Sequence, residues 1–187
     1  APFVVPVVRL DGKYELVGTL HSTPESAFRI EFFANDFADP SGFGEGQTLI
    51  GFLDNVTTNV DGDALFTFQP AERPAKGFIT ATATNLAGNT SEYSCGTPAA
   101  GILAEGHVFG VTTTADDQPG SLRHAIELAN AHAGLDIVTF CLTGSGTQTI
   151  RPSSPLPTIT DPIFIDGLTF TTATANTNEL KMGSNAS

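Results

Sequence analysis

Phe28-Arg29-Ile30-Glu31-Phe32-Phe33 sets three large apolar side chains, at 28, 30 and 32, two residues apart, with Arg29 and Glu31 between them. Successive side chains of an extended backbone point to opposite faces, so this run reads as a half-buried strand that sends Phe28, Ile30 and Phe32 into a core. Outward from it, residues 4–10, 14–20, 47–56, 64–69 and 78–85 are further runs rich in β-branched and aromatic residues, separated by clusters of Gly, Asn, Asp and Pro. Asp11-Gly12 and Asp61-Gly62 fall between consecutive runs. Both residue types tolerate positive φ, so each pair is a tight hairpin signal. The expectation for the front of the chain is two sheets closing over one core.

Composition narrows what such a chain does. Its 187 residues suffice for one ordinary domain or two small ones. Eight Lys and Arg against 20 Asp and Glu leave a net charge of −12. A surface so acidic repels DNA, RNA and anionic membranes, so no nucleic-acid partner is expected. No stretch approaches the ~20 apolar residues of a membrane span, and no basic-plus-apolar leader follows Ala1. The absence of a starting Met and the ending Gly183-Ser184-Asn185-Ala186-Ser187 read as marks of a fragment or processed product, with an expression scar or frayed tail. Cys95 and Cys141 are the two cysteines and allow at most one bridge; no C-x-x-C motif offers a structural zinc site. Few Lys, many Thr and a single Met suit a secreted or surface protein, where the pair would bridge the linker to the second domain. Two free buried thiols are the alternative.

The pattern changes after residue 95. Residues 96–106 are small, bear Gly and Pro, and carry no charge before Glu105, which is linker composition. Beyond them a strand is expected near 107–113, then a helix over 122–132 with Ser121 as N-cap and Gly134 as its stop. Leu122, Ala125, Ile126 and Ala129 share one face of that helix. Short strands follow at 136–142, 147–150 and 163–166, with no tight turns between them. One amphipathic helix ahead of such strands fits the cap and first coils of a parallel β-helix. The expected fold class is therefore all-β: an immunoglobulin-like β-sandwich over 1–95, a linker over 96–106, and over 107–187 an α-helix-capped, incomplete parallel β-helix. The Trp and inter-sheet disulfide of antibody domains are lacking.

Three stretches carry a resemblance. Gly18-Thr19-Leu20, Phe28 to Asn35, Asp39-Pro40-Ser41-Gly42-Phe43-Gly44-Glu45-Gly46-Gln47-Thr48, and Ile79 to Ser94 with Asn85-Leu86-Ala87-Gly88-Asn89 resemble an Ig-like module of large bacterial surface proteins. Val111-Thr112-Thr113-Thr114-Ala115-Asp116-Asp117-Gln118-Pro119-Gly120-Ser121-Leu122-Arg123-His124-Ala125-Ile126, with Ala129-Asn130, is similar to the opening of right-handed parallel β-helix domains of the CSLREA type. Thr149-Ile150-Arg151-Pro152 and Leu156 to Gly167 resemble their first coil. The resemblance implies an extracellular or cell-surface scaffold or adhesive module with no shared catalytic motif. Its ligand would be a carbohydrate or protein, and it would self-associate through an open β-helix end. The sequence departs from the pattern after Gly167, where Thr, Ala and Asn replace the apolar beat.

Candidate chemistry is sparse. Asp36, Asp39 and Glu45 crowd one Gly/Pro/Ser loop and supply the hard oxygen ligands that Ca²⁺ takes; the bland reading is a solvated acidic turn. Asn59, Asp61 and Asp63 mimic the start of an EF-hand loop, but Gly62 falls at position four rather than six, and Pro70 stands where the terminal Glu would be required. Asp116-Asp117 precede the helix and complement its positive end. His124 and His132 are two turns apart without a Glu or Cys to complete a zinc site, which favours a surface role. His21 and Ser22 are neighbours in extended chain and point apart, a poor base and nucleophile. Gly144-Ser145-Gly146 is a turn rather than a nucleophile elbow, and Gly42 to Gly46 lacks the Lys and helix of a phosphate cradle. Asp136, Asp161 and Asp166 are the carboxylates available for glycoside cleavage, each also suited to a turn. The expected function is thus a structural or adhesive module, with a small Ca²⁺-assisted hydrolase of polysaccharide or ester as the alternative.

Overall fold

The computed structural model of the chain describes residues 1–39, 44–142 and 147–167. The Pro40-Ser41-Gly42 turn, the Gly144-Ser145-Gly146 turn and the Thr/Ala/Asn tract beyond Gly167 lie outside the described residues. What is described is mostly β-structure.

The front strands are β1 (Phe3–Val8), β2 (Tyr14–His21), β3 (Ala27–Asn35), β4 (Thr48–Thr57), β5 (Asp63–Phe68) and β6 (Phe78–Asn85). The connections between β1 and β2 and between β4 and β5 close as four-residue turns, with Gly12 N–H donating to Arg9 C=O and Gly62 N–H to Asn59 C=O, each 2.9–3.1 Å. Gly62 sits at φ +87°, and a Cβ there would lie 2.4 Å from the Ser22 carbonyl oxygen, so only Gly fits. The short strands β7 (Thr97–Pro98) and β8 (Ile102–Leu103) complete two four-stranded sheets, ordered β5-β2-β1-β8 and β4-β3-β6-β7. Phe28, Ile30 and Phe32 are at most 6% exposed and enter a core shared by both sheets, with Val4, Leu16 and Phe66 from the facing sheet and Ile79 from the neighbouring β6. The rings of Phe32 and Phe68 stack at 4.7 Å between sheets. The segment expected as a linker therefore supplies a strand to each sheet: β7 pairs with β6, and β8 runs parallel to β1. Tyr14 Oη donates to Ala99 C=O at 3.0 Å and Arg9 Nη1 donates to the carbonyls of Ala104 and Gly106. Its small residues suit close packing between strands as well as they suit a tether.

The back of the chain holds β9 (Val108–Val111), α1 (Leu122–Ala131), β10 (Asp136–Phe140) and β11 (Ile163–Asp166). β10 pairs with β9 on one side and β11 on the other, both parallel, and among the described residues β9 and β11 are the outer strands. α1 begins where Ser121 Oγ accepts the His124 backbone N–H at 3.1 Å, and it ends at His132. Ala125 and Ala129 pack with Phe109, Val111 and Val138 on one face of the parallel sheet. The other face presents Val108, Ile137 and Cys141 to Phe3, Val5, Val7 and Val17 of the front half. Cys95 and Cys141 are joined there by a disulfide closing a sequence separation of 46. Gly110 lets β9 lie close against β1: a Cβ on it would fall 2.4 Å from the Phe3 ring.

The strand expected at 147–150 does not form. β10 already has a neighbour on each side, so this segment finds no ladder, and only Ile150 packs on the apolar cluster under α1. The chain that follows is held by side chains of the helix instead. Arg123 donates to the carbonyls of Ser154 and Pro155 at 3.0 and 2.7 Å and pairs with Asp116 at 2.8 Å. Asn130 donates to Thr158 C=O and accepts from Thr160 N–H at 2.9 and 2.8 Å. Asp116 also accepts from the Ser153 hydroxyl and N–H, and these bonds, with the Arg123 guanidinium, hold its carboxyl down to about 2. Asp116 is thus a clip on the chain that crosses to β11.

Candidate functional site

Three ionisable side chains meet where the two halves join. His21 is the last residue of β2, and Asp63, the first of β5, is its cross-strand partner in register. The turn before Asp63 is fixed by Asn59, whose Oδ1 accepts the backbone N–H groups of Asp61 and Asp63 at 2.9 Å each. His124 comes from the first turn of α1. Asp63 Oδ1 lies 2.8 Å from His21 Nδ1, and its Oδ2 lies 3.3 Å from His124 Nε2. The two imidazoles meet edge to face, with centroids 5.7 Å apart. Gly120 N–H donates to His124 Nδ1 at 3.4 Å. Nδ1 therefore accepts, and the proton of the neutral ring sits on Nε2, facing the carboxylate.

The three residues line a cleft of ≈450 Å³ whose rim carries Asp61, Asp117 and Glu127, with no Lys or Arg in its lining. His21 and His124 also border a second cavity of ≈270 Å³ floored by Phe3 and Phe109. No Ser, Thr or Cys hydroxyl or thiol is hydrogen-bonded to either imidazole among the described residues, so no nucleophile–base pair is assembled. The chemistry within reach is proton exchange with the cleft or donation of ring nitrogens and a carboxylate to a cation. Among the described residues, His21, Asp63 and His124 are the one set of three or more His, Cys, Asp or Glu groups whose donor atoms all lie within 4.8 Å of one another.

The residues expected to bind Ca²⁺ are not gathered in that way. Asp36 is clipped to Gln47, whose side-chain amide donates to Asp36 Oδ2 at 3.1 Å and accepts the Asp36 N–H at 2.9 Å. Glu45 is exposed and takes part through its backbone carbonyl, which accepts from Thr80 Oγ1 at 2.6 Å. Asp39 lies between them in sequence, and the three carboxylates do not converge to within 4.8 Å. Adjacency in a loop brought the acids near in sequence, while backbone and amide partners fixed their positions separately.

A second histidine–carboxylate group lies under the far end of α1. His132 is the helix C-cap, not part of a shared face with His124; its Nδ1 lies 3.0 Å from Asp136 Oδ1. Asp136 is buried and also accepts the His107 N–H at 2.9 Å. Burial raises its carboxyl above the ordinary carboxylate value, against the pull of that N–H and of His132. His107 is buried as well, its Nε2 3.1 Å from Gly18 C=O, and burial lowers its imidazole to about 4. Of the other carboxylates considered for glycoside cleavage, Asp161 caps Gly134 N–H at 2.7 Å and Asp166 lies in β11 opposite Thr139.

The sequence named His21, Asp63 and His124 individually and gave no sign that they meet. They are 42 and 61 residues apart in their two pairings. No protein-family model matches the chain, and no curated protein matches it.

Proposed function

We propose that this chain is an extracellular structural module of a bacterial surface or secreted protein, a rigid joint between an Ig-like sandwich and the capped start of a right-handed parallel β-helix. The observation that carries the reading is the apolar seam of Phe3, Val5, Val7 and Val17 against Ala104 and Val108, closed by the Cys95–Cys141 disulfide. A seam of this kind fixes two elements relative to each other, which a spacer requires and a loose tether does not. The disulfide supports an oxidising compartment. The strand orders β5-β2-β1 and β4-β3-β6-β7 support the Ig-like reading, because they correspond to E-B-A against C′-C-F-G. Three parallel strands under one helix support the β-helix reading.

The surface of such a module meets carbohydrate or protein ligands, and its chemistry is contact rather than turnover. The test is urea unfolding followed residue by residue in NMR spectra, alongside a panel of polysaccharide and ester substrates. One coincident transition for both halves with no turnover supports the joint. Separate transitions, or hydrolysis of any substrate, overturn it.

A further inference from the structure

We propose that His21, Asp63 and His124 form a site for a borderline transition-metal ion of the Zn²⁺ class, which clips α1 to the front sheets. Two imidazole nitrogens and one carboxylate are the donor set such ions take, whereas Ca²⁺ asks for six or more oxygens. Each donor comes from a different element, β2, β5 and α1, so an ion held by all three is a cross-link between the halves.

The spacing fits. Tetrahedral coordination with bonds of ~2.0–2.1 Å places neighbouring ligand atoms about 3.3 Å apart. His124 Nε2 stands 3.3 Å from Asp63 Oδ2 and His21 Nδ1 2.8 Å from the other oxygen, Oδ1, so an ion held by Oδ2 asks the His21 ring to shift across the carboxylate, within a set whose donor atoms already lie within 4.8 Å of one another. His21 is on the wet side of the cleft, with a side chain 38% exposed, so that adjustment meets little resistance. Asp61, Asp117 and Glu127 on the rim concentrate cations at the mouth, and the cleft volume leaves space for water as the fourth ligand. One contact opposes the ion. A metal on His124 Nε2 moves the ring proton to Nδ1, and the 3.4 Å bond from Gly120 N–H is lost. A bond that long is weak, and metal coordination outweighs it.

The experiment is titration of the chelator-stripped, dialysed 187-residue chain with ZnCl₂ in a non-coordinating neutral buffer, followed by calorimetry, with Co²⁺ absorption as a coordination readout. Saturable binding of one ion per chain is expected, with the visible absorption of a four- or five-coordinate Co²⁺ complex and no displacement by excess Ca²⁺. His21→Ala and His124→Ala, checked for native circular dichroism, should each weaken binding by at least about tenfold, since loss even of groups that only support a ligand costs that much. The rim variants Asp61→Asn and Glu127→Gln, which remove no ligand, should weaken it less. Absence of saturable binding, or equal binding by the histidine variants, overturns the site; the three groups are then a hydrogen-bonded His–Asp–His bridge on an acidic surface.

Discussion

The front sheets and the back sheet are built by different rules. In front, the six long strands pair antiparallel, tight turns join β1 to β2 and β4 to β5, and one continuous core takes a face from each sheet. At the back, three parallel strands are joined by a helix and by a long segment held through Arg123 and Asn130, and the sheet is covered by α1 on one side and by β1 and β2 on the other. Parallel strands need cover on both faces. The front can thus complete its own core, while the back borrows a wall from the front. That asymmetry also explains the apolar run Phe3-Val4-Val5-Pro6-Val7-Val8. Val4 enters the sandwich core, whereas Phe3, Val5 and Val7 serve the seam.

Substitutions break the comparison at different points. Phe32→Ala removes a fully buried ring from the front core and should cost roughly 5 kcal/mol, unfolding both halves together; a back half that keeps its amide protection would contradict the borrowed wall. Opening the disulfide with Cys95→Ser plus Cys141→Ser frees a closed loop of 46 residues, worth about 4 kcal/mol by chain entropy. Urea midpoints should fall first for amides of β9 to β11, and a uniform fall across all strands would place the bridge outside the asymmetry.

Acid tests the seam next. His107 is held at about 4, mainly by burial and further by His132 and Arg9, with the Gly18 carbonyl pulling the other way. An unfolded imidazole takes its proton near 6.5, so between those values the unfolded chain binds more protons and stability falls as pH drops. The full loss is about 3 kcal/mol, complete near pH 4. Asp136, raised by burial, works in the opposite direction. The slope of urea stability against pH from 6.5 to 4 should therefore flatten in His107→Gln, and an unchanged slope would remove His107 as its source. Smallest is Ser121→Ala, which deletes the cap on His124 N–H and should cost about 1 kcal/mol. Amides of α1 should report it and those of β3 should not.

Much of the front was legible because its signals are local. The alternation at Phe28, Ile30 and Phe32 names the buried face without knowledge of any partner strand, and Asp11-Gly12 and Asp61-Gly62 name the turns. The helix, its Ser121 cap and its end near His132 were equally readable from spacing and capping chemistry. The stretch 96–106 was less so, since small residues serve a tether and a tightly packed strand alike. The acidic loop put Asp36, Asp39 and Glu45 near one another in sequence, and sequence proximity says nothing of where carboxylates point; among the described residues the three are not drawn together. Asp63 looked like part of a failed EF-hand, and His124 like half of a pair with His132. Each instead turns toward a partner that only the docked halves provide.

Sequence alone settled where the six front strands, the two Asp-Gly turns and the helix lie and which of their faces are apolar, because those depend on periods of two and 3.6 residues and on the φ values that Gly and Asp accept. The tertiary structure decided the rest: that β1 is covered on both faces, that Cys95 meets Cys141, and that His21, Asp63 and His124 share a cleft. Such meetings join residues dozens of positions apart, and their geometry is set by how one sheet seats on another.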